Sequence, residues 1–287
     1  MNGPQSARLP DGRLHLQHGP IDLVIEAFGA SDEVASAYRQ ATERFGDILL
    51  TLASELPALR RPVVGETYPL LQGPIARRMA GAVWPHRAVY ITPMAAVAGA
   101  VADEVLGAMI SGRALDKAYV NNGGDIAVHL APGQQLRAGI VADLLAPQLT
   151  GFATLCHDRP VRGIATSGCG GRSFSLGIAD SATILAATAA DADAAATLIA
   201  NAVNADHPSV ERRPARQLDP DSDLLDLPVT VSVGPLPHHV VAAALDRGAA
   251  EARRLRLCGL IDSAALSLKG QWRIEAAGTA LARKEAG

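Results

Sequence analysis

Apolar and polar residues alternate over 14–17 and 21–28, which predicts two strands, and His18-Gly19-Pro20 between them reads as a hairpin turn. The spacing then becomes helical. Val34, Tyr38, Phe45, Ile48 and Leu49 fall on one face of a single long helix over 31–56, capped by Ser31 and ended by Pro57 and Pro62. Residues 65–85 read as irregular with a short helix at 75–82, and Val89-Tyr90-Ile91 as a strand. Thr92-Pro93 opens the next helix, which runs to Ile110 and stops at Ser111-Gly112; a proline there removes an N–H that would have no helical partner.

Strands are expected over 117–121, 125–130 and 135–141, the first two joined by Asn121-Asn122-Gly123-Gly124, and a loop over 144–152. Strands at 161–166 and 181–188 flank a glycine-rich connection, and an alanine-rich helix follows over 192–204. The proline- and aspartate-rich stretch 208–227 reads as a mobile excursion. A strand at 229–233, a helix at 239–254, one or two strands within 258–275 and a frayed last dozen residues complete the pattern. Meanders mixed with helices fit an α+β fold, with mixed and antiparallel sheets and packed helices, better than a doubly wound sheet. No repeat or linker divides residues 1–287, so the expectation is one domain, or two intertwined lobes.

Composition narrows the function classes. The chain has 287 residues, 48% of them hydrophobic, enough for one sizeable core or two modest ones. Net charge is −3 and the arginines form no continuous stripe, which argues against nucleic acid as a partner. Three cysteines without metal-type spacing point away from disulfides and a zinc site. Asp103 and Glu104 interrupt the apolar run from Pro93 to Ile110, so it reads as a core helix and no membrane partner is expected. With no apolar leader at the N-terminus, the expected location is cytoplasmic. Aromatics are only 3%, so stacking is an improbable basis for a binding site.

The strongest chemical lead is Asp193 with Thr197. Four residues apart on a helix, both side chains leave one face about one turn apart and offer the hard oxygen ligands that Mg2+ shares with phosphates and water. The same residues also suit a plain helix start, where aspartate complements the dipole; Asp191 is the alternative cap. Asn122-Gly123-Gly124 is a hairpin turn by composition, and such a turn also exposes backbone N–H groups to an anion. Thr166-Ser167-Gly168-Cys169-Gly170-Gly171 has neither the lysine of a P-loop nor a dinucleotide spacing. Arg172 and Cys169 read as loop residues, His207, His238 and His239 as surface residues, and Asp219, Asp221, Asp223 and Asp226 as a solvated acidic loop without the glycine and glutamate of a calcium site.

Three segments in this order carry a resemblance: Pro93-Met94-Ala95-Ala96-Val97-Ala98-Gly99-Ala100-Val101-Ala102-Asp103, then Val120-Asn121-Asn122-Gly123-Gly124-Asp125-Ile126, then Gly163-Ile164-Ala165-Thr166-Ser167-Gly168 followed by Asp193-x-x-x-Thr197. Together they resemble the ApbE superfamily, whose best-known members are FAD:protein FMN transferases, and in particular its UPF0280 branch. The resemblance covers 89–204 well and the flanks loosely. It implies that FAD or FMN is bound with Mg2+, that Asp193 and Thr197 are the metal ligands with a main-chain carbonyl from 95–99, and that Asn121, Asn122, Gly123, Gly124 and Asp125 lie beside the nucleotide. Thr166, Ser167 and Gly168 would line the same cleft. The activity implied is cleavage of the FAD pyrophosphate with transfer of FMN to a hydroxyl of an acceptor protein. Two departures stand out: Ala98 occupies the position of a lysine in the family transferases, and 172–180 is shorter than their histidine- and proline-containing segment. Asp180 and Asp103 are candidate general bases by nearness to the motifs. The alternatives are a nucleotide-binding module without turnover and an interaction protein that forms a homodimer through its alanine-rich helices.

Overall fold

The computed structural model describes residues 3–141, 149–276 and 281–283. The chain begins with β1 (Gln5–Arg8), β2 (Leu14–His18) and β3 (Ile21–Gly29), followed by α1 (Ser31–Phe45), α2 (Ile48–Leu59) and α3 (Pro74–Val83). Two 3-10 turns, Trp84–His86 and Pro93–Ala96, lead into α4 (Val97–Ile110). Then come β4 (Leu115–Asn122), β5 (Asp125–Leu130), β6 (Gln135–Val141), β7 (Leu149–Cys156), β8 (Gly163–Ser167) and β9 (Ser181–Ala186). The last third holds α5 (Ala189–Ala202), β10 (Val210–Pro214), α6 (Ala215–Leu218), β11 (Pro228–Val233), α7 (His238–Leu257), β12 (Ser263–Leu268), β13 (Gln271–Ala276) and β14 (Leu281–Arg283). The fold is α+β. By contacts the chain divides into a first unit, Met1–Leu136, Leu155–Ala165 and Ala187–Ala194, and a second, Arg137–Thr154, Thr166–Ala186 and Ala195–Gly287.

In the first unit β1 to β5 form an antiparallel meander, with Gly163 and Ile164 of β8 registered against Ala127 and Ile126 of β5. Alternation becomes burial: along β3, Ile21, Leu23, Ile25 and Ala27 face the core while Asp22, Val24 and Glu26 are half-exposed. Helix α4 packs on β4 and β5 and against α1 and α3. The run from Pro93 to Ile110 is long and apolar enough to cross a membrane by length and composition. Here its Ala100, Val101, Ala102, Val105 and Met109 are fully buried in the protein core.

In the second unit β9, β12 and β13 are antiparallel, and every residue of β9 and β12 is buried. Both faces are covered, and Ser181, Thr183, Ser263 and Ser267 are buried with the apolar residues. Helix α7 packs on β12 and β13. Strands β10 and β11 pair with each other, and β7 pairs with β6 and β14 in a three-stranded sheet.

Several elements differ from the sequence pattern. The expected helix over 31–56 is two helices, because Gly46 and Asp47, poor helix formers, make a turn in which Arg44 reaches Asp47. Ala30, and not Ser31, is the N-cap of α1. Val89-Tyr90-Ile91 is not a strand; the run is short between Pro85 and Pro93, and its Ile91 carbonyl accepts the Val63 N–H at 2.8 Å. The loop expected over 144–152 lies partly outside the described residues, and its described end belongs to β7, where Gly151, Ala153 and Leu155 alternate inward. The tail expected to fray contains β14, registered against Gly151 to Ala153. Within 208–227, β10 and α6 are tied back by hydrogen bonds from Ala215 and Arg216 N–H to the Leu227 and Leu225 carbonyls, at 3.0 and 2.8 Å.

Gly163 marks a close approach within the first unit. A Cβ there would lie 2.0 Å from the Thr188 carbonyl oxygen, which is main chain and has no rotamer to change. Gly163→Ala is therefore expected to lower stability by on the order of 3 kcal/mol in urea unfolding. A variant as stable as the parent would show that the two backbones separate freely.

Candidate functional site

The motifs that stand far apart in sequence meet in the first unit where the opening turns of α4 and α5 cross. Gly99, in the first turn of α4, allows the crossing: a Cβ on it would lie 2.2 Å from the Ala189 carbonyl oxygen and 2.7 Å from the Ala190 nitrogen. With backbones this close, each helix satisfies the other's free N–H groups. Asp193 of α5 accepts the Gly99 N–H at 3.0 Å and also that of Ala98. Asp103, one turn further along α4, accepts the Ala189 and Ala190 N–H groups at 3.1 and 2.9 Å. These are first-turn donors with no partner inside their own helix, and a carboxylate beside them also meets the positive end of the dipole.

Thr188 completes the start of α5. Its hydroxyl accepts the Asp191 N–H at 3.1 Å, as an N-cap side chain does, and donates to the Asp191 carboxylate at 2.7 Å. Asp191 is thus occupied locally, while Asp193 and Asp103 act across the crossing.

The β4–β5 hairpin reaches the same place. Gly123 and Gly124 have φ of 67° and 115°, the left-handed region a two-residue hairpin loop needs. The Asn121 side chain accepts the Gly124 N–H at 2.8 Å and closes the turn. The buried Asn122 amide donates to the Ala98 carbonyl at 3.1 Å, fastening the hairpin to the first turn of α4. Asp125, at the other side of the turn, is near enough to Asp193 for its negative charge to act there.

Electrostatics follow from that crowding. Burial pushes the Asp193 carboxyl well above the usual carboxylate range and Asp125 adds to the rise, against the lowering effect of the Gly99 and Ala98 N–H groups. Burial also raises Asp103 to about 6, opposed by the Ala190 and Ala189 N–H groups and by Arg78. Arg78 is itself held by Glu104, at 2.7 Å. Two carboxylates held in low-dielectric surroundings favour a shared proton or a cation between them.

The remaining candidates lie in the second unit. The Thr166 hydroxyl is 2.9 Å from that of Thr183, and Ser167 is half-buried at the end of β8. Gly168 lies so close to the Asp180 main chain that a Cβ would be 2.4 Å from its carbonyl oxygen. The Asp180 carboxylate accepts the N–H of Lys269, in the β12–β13 turn. Thr197 is half-buried on α5, one turn beyond Asp193. A surface hollow of about 380 Å³, lined by Arg8, Tyr38, Arg39, Thr42, Glu43 and neighbours, contains none of the candidates.

The donor set suits magnesium. Asp193 offers hard oxygens, and a carboxylate oxygen that accepts an N–H keeps lone pairs for a cation. Among the described residues no three histidine, cysteine or carboxylate side chains are grouped as a complete metal cage. Pattern reading of the sequence did not find the paired roles of Asp103 and Gly99; their spacing, Gly99-x-x-x-Asp103, places them on one face of α4 and was the available signal.

A family model described as "AbpE bacteria" matches residues 6–274. A UPF0280 protein of Methanothrix thermoacetophila is 40% identical over 137 residues, covering 46% of this chain and 54% of its own length. One from Archaeoglobus fulgidus is 36% identical over 133 residues, covering 46% and 51%. The chain thus spans about half the length of the curated relatives it matches. Among solved structures, the ApbE protein of Thermotoga maritima aligns with TM-score 0.49 at 14% identity over 96% of this chain and 98% of its own. A mutant of the flavin transferase ApbE of Vibrio cholerae aligns with TM-score 0.41 at 11% identity, over 96% and 97%.

Because Asp103 in the native protein binds its proton more tightly than an ordinary carboxyl near 3.8, its contribution to stability is present below about pH 4 and lost as pH rises through about 6. Asp103→Asn removes this titration. The stability of the parent minus that of the variant is expected to fall between pH 4 and 7, by up to on the order of 3 kcal/mol. Chemical unfolding of both proteins across that range checks it; a flat or rising difference would contradict the placement of Asp103 in a poorly solvated crossing.

Proposed function

The chain belongs to the AbpE bacterial family of the ApbE superfamily, and from that membership we propose that it binds a flavin nucleotide, FAD or FMN, together with Mg2+. One observation carries the reading: Pro93–Asp103, the Asn121–Asp125 turn and Asp193, separated by up to a hundred residues, converge on the first turn of α4. In this reading Asp193 holds the cation, with Thr197 one turn along α5 and a main-chain carbonyl of 95–99. Gly123, exposed at the hairpin turn, would face a phosphate, and Thr166, Ser167 and Gly168 of the second unit are the further residues that the family resemblance assigns to the nucleotide. Bound Mg2+ would supply charge stabilisation on the diphosphate oxygens.

The reaction such a site supports is attack of an acceptor protein's serine or threonine hydroxyl on the FMN phosphorus of FAD. An O–P bond forms, the pyrophosphate bond breaks, AMP leaves, and the hydroxyl proton passes to solvent or a base. A second reading, retention of the nucleotide without transfer, is favoured by specific observations. Both oxygens of Asp103 already accept backbone N–H groups, the Asp180 carboxylate accepts another, and Ala98 stands at the lysine position.

Thermal unfolding with FAD in the presence and absence of Mg2+ tests the shared premise. At about a hundred times the dissociation constant, binding adds about 2.7 kcal/mol, a shift of several degrees for a chain of this size. Asp193→Ala is expected to abolish the Mg2+-dependent part; equal stabilisation with and without Mg2+ in the parent rejects the cation reading. Release of AMP from FAD when an acceptor protein is added distinguishes transfer from retention.

A further inference from the structure

Asp103 and Asp193 form a closed exchange between two helices. Asp193, on the first turns of α5, holds the Ala98 and Gly99 N–H groups that begin α4. Asp103, on α4, holds the Ala189 and Ala190 N–H groups that begin α5. Neither helix can rotate about its own axis or slide by a fraction of a turn without breaking hydrogen bonds at both ends of the exchange. Gly99 leaves no space between the backbones for the crossing to readjust around a side chain. The direction in which the remaining lone pairs of Asp193 point is therefore fixed from α4.

We propose that Asp103 is a positioning residue for the cation held by Asp193: it fixes the rotation of α5 and so the aim of the Asp193 carboxylate. This rests on the cation reading above and gives Asp103 a role different from that of a general base. Each Asp103 oxygen accepts a main-chain N–H, which ties the carboxylate to the start of α5. The Thr188–Asp191 pair supplies an internal comparison, because it caps the same helix start without linking it to α4.

The test is Mn2+ binding in the presence of FAD, measured by electron paramagnetic resonance, for the parent, Asp103→Ala, Asp103→Asn and Thr188→Ala, with amide hydrogen exchange of the metal-free proteins. Asp103→Ala is expected to weaken Mn2+ at least about tenfold and to speed exchange at Ala98 and Gly99, on the helix that carries the substitution but at bonds made by Asp193. Asp103→Asn, whose amide oxygen can accept only part of the pair, is expected to recover some of that affinity. Thr188→Ala should lower stability by about 1 kcal/mol, as a lost cap does, and leave Mn2+ affinity within about twofold of the parent. Equal Mn2+ affinity in Asp103→Ala and the parent overturns the positioning role alone, as does an equal loss in Thr188→Ala, which would reduce the effect to general helix stability. Unchanged exchange at Ala98 and Gly99 overturns it independently of any metal. A parent protein that takes up no Mn2+ overturns the cation reading, and the positioning role with it.

Discussion

Close passage of α4 over α5 at Gly99 is the constraint on which the rest of the site depends. Helix starts carry N–H groups that need partners, and burying them unpaired is unfavourable by several kcal/mol across a turn. Here the partners are carboxylates from the opposite helix, and they reach only because a hydrogen atom stands where any other residue would put a methyl group. The hairpin loop then docks on the same turn through Asn122 and the Ala98 carbonyl. Packing, main-chain satisfaction and placement of the acidic groups are one arrangement.

That arrangement concentrates negative charge where water is scarce. The charges of Asp125 and Asp103 both register at Asp193, while Arg78 and Arg44 engage Glu104 and Arg78 also acts on Asp103. The contrast with Glu104 is instructive. Burial raises that carboxyl too, but the two guanidinium groups outweigh it and bring it below its ordinary value. Glu104 is a settled ion-pair member, whereas at Asp193 the backbone N–H groups of Gly99 and Ala98 offset the rise only in part. A divalent cation would answer the demand that remains, which is the physical content of the functional proposal.

Much of this was legible in the sequence, for identifiable reasons. The alternation of β2 and β3, the apolar run of α4 and the Asn-Gly-Gly turn are local signals, and each produced its element. Asp193 and Thr197 stood out because four-residue spacing fixes a shared helix face before any tertiary contact is known. The missed features are non-local. Asp193 caps a helix, but not its own, and no window along the chain contains both the carboxylate and the N–H groups of Ala98 and Gly99. Strand β14 is only three residues long and depends on β7 for its hydrogen bonds, so it has no periodicity to detect. The division of 31–56 into α1 and α2 rests on Gly46 and Asp47, whose weak helix preference was outweighed by the apolar residues around them.

The alanines of α5 carry a consequence of their own. Ala189, Ala190, Ala192, Ala194, Ala195, Ala196 and Ala200 are all buried, with no spare volume around them for longer side chains. At these positions a longer side chain would have to displace its neighbours, while Asp191, Thr197 and Asn201 lie on a half-exposed face of the same helix. Substitution at the exposed Gly123 of the hairpin turn meets no such obstacle from its neighbours' volume, so the two ends of the arrangement differ in how much change they tolerate.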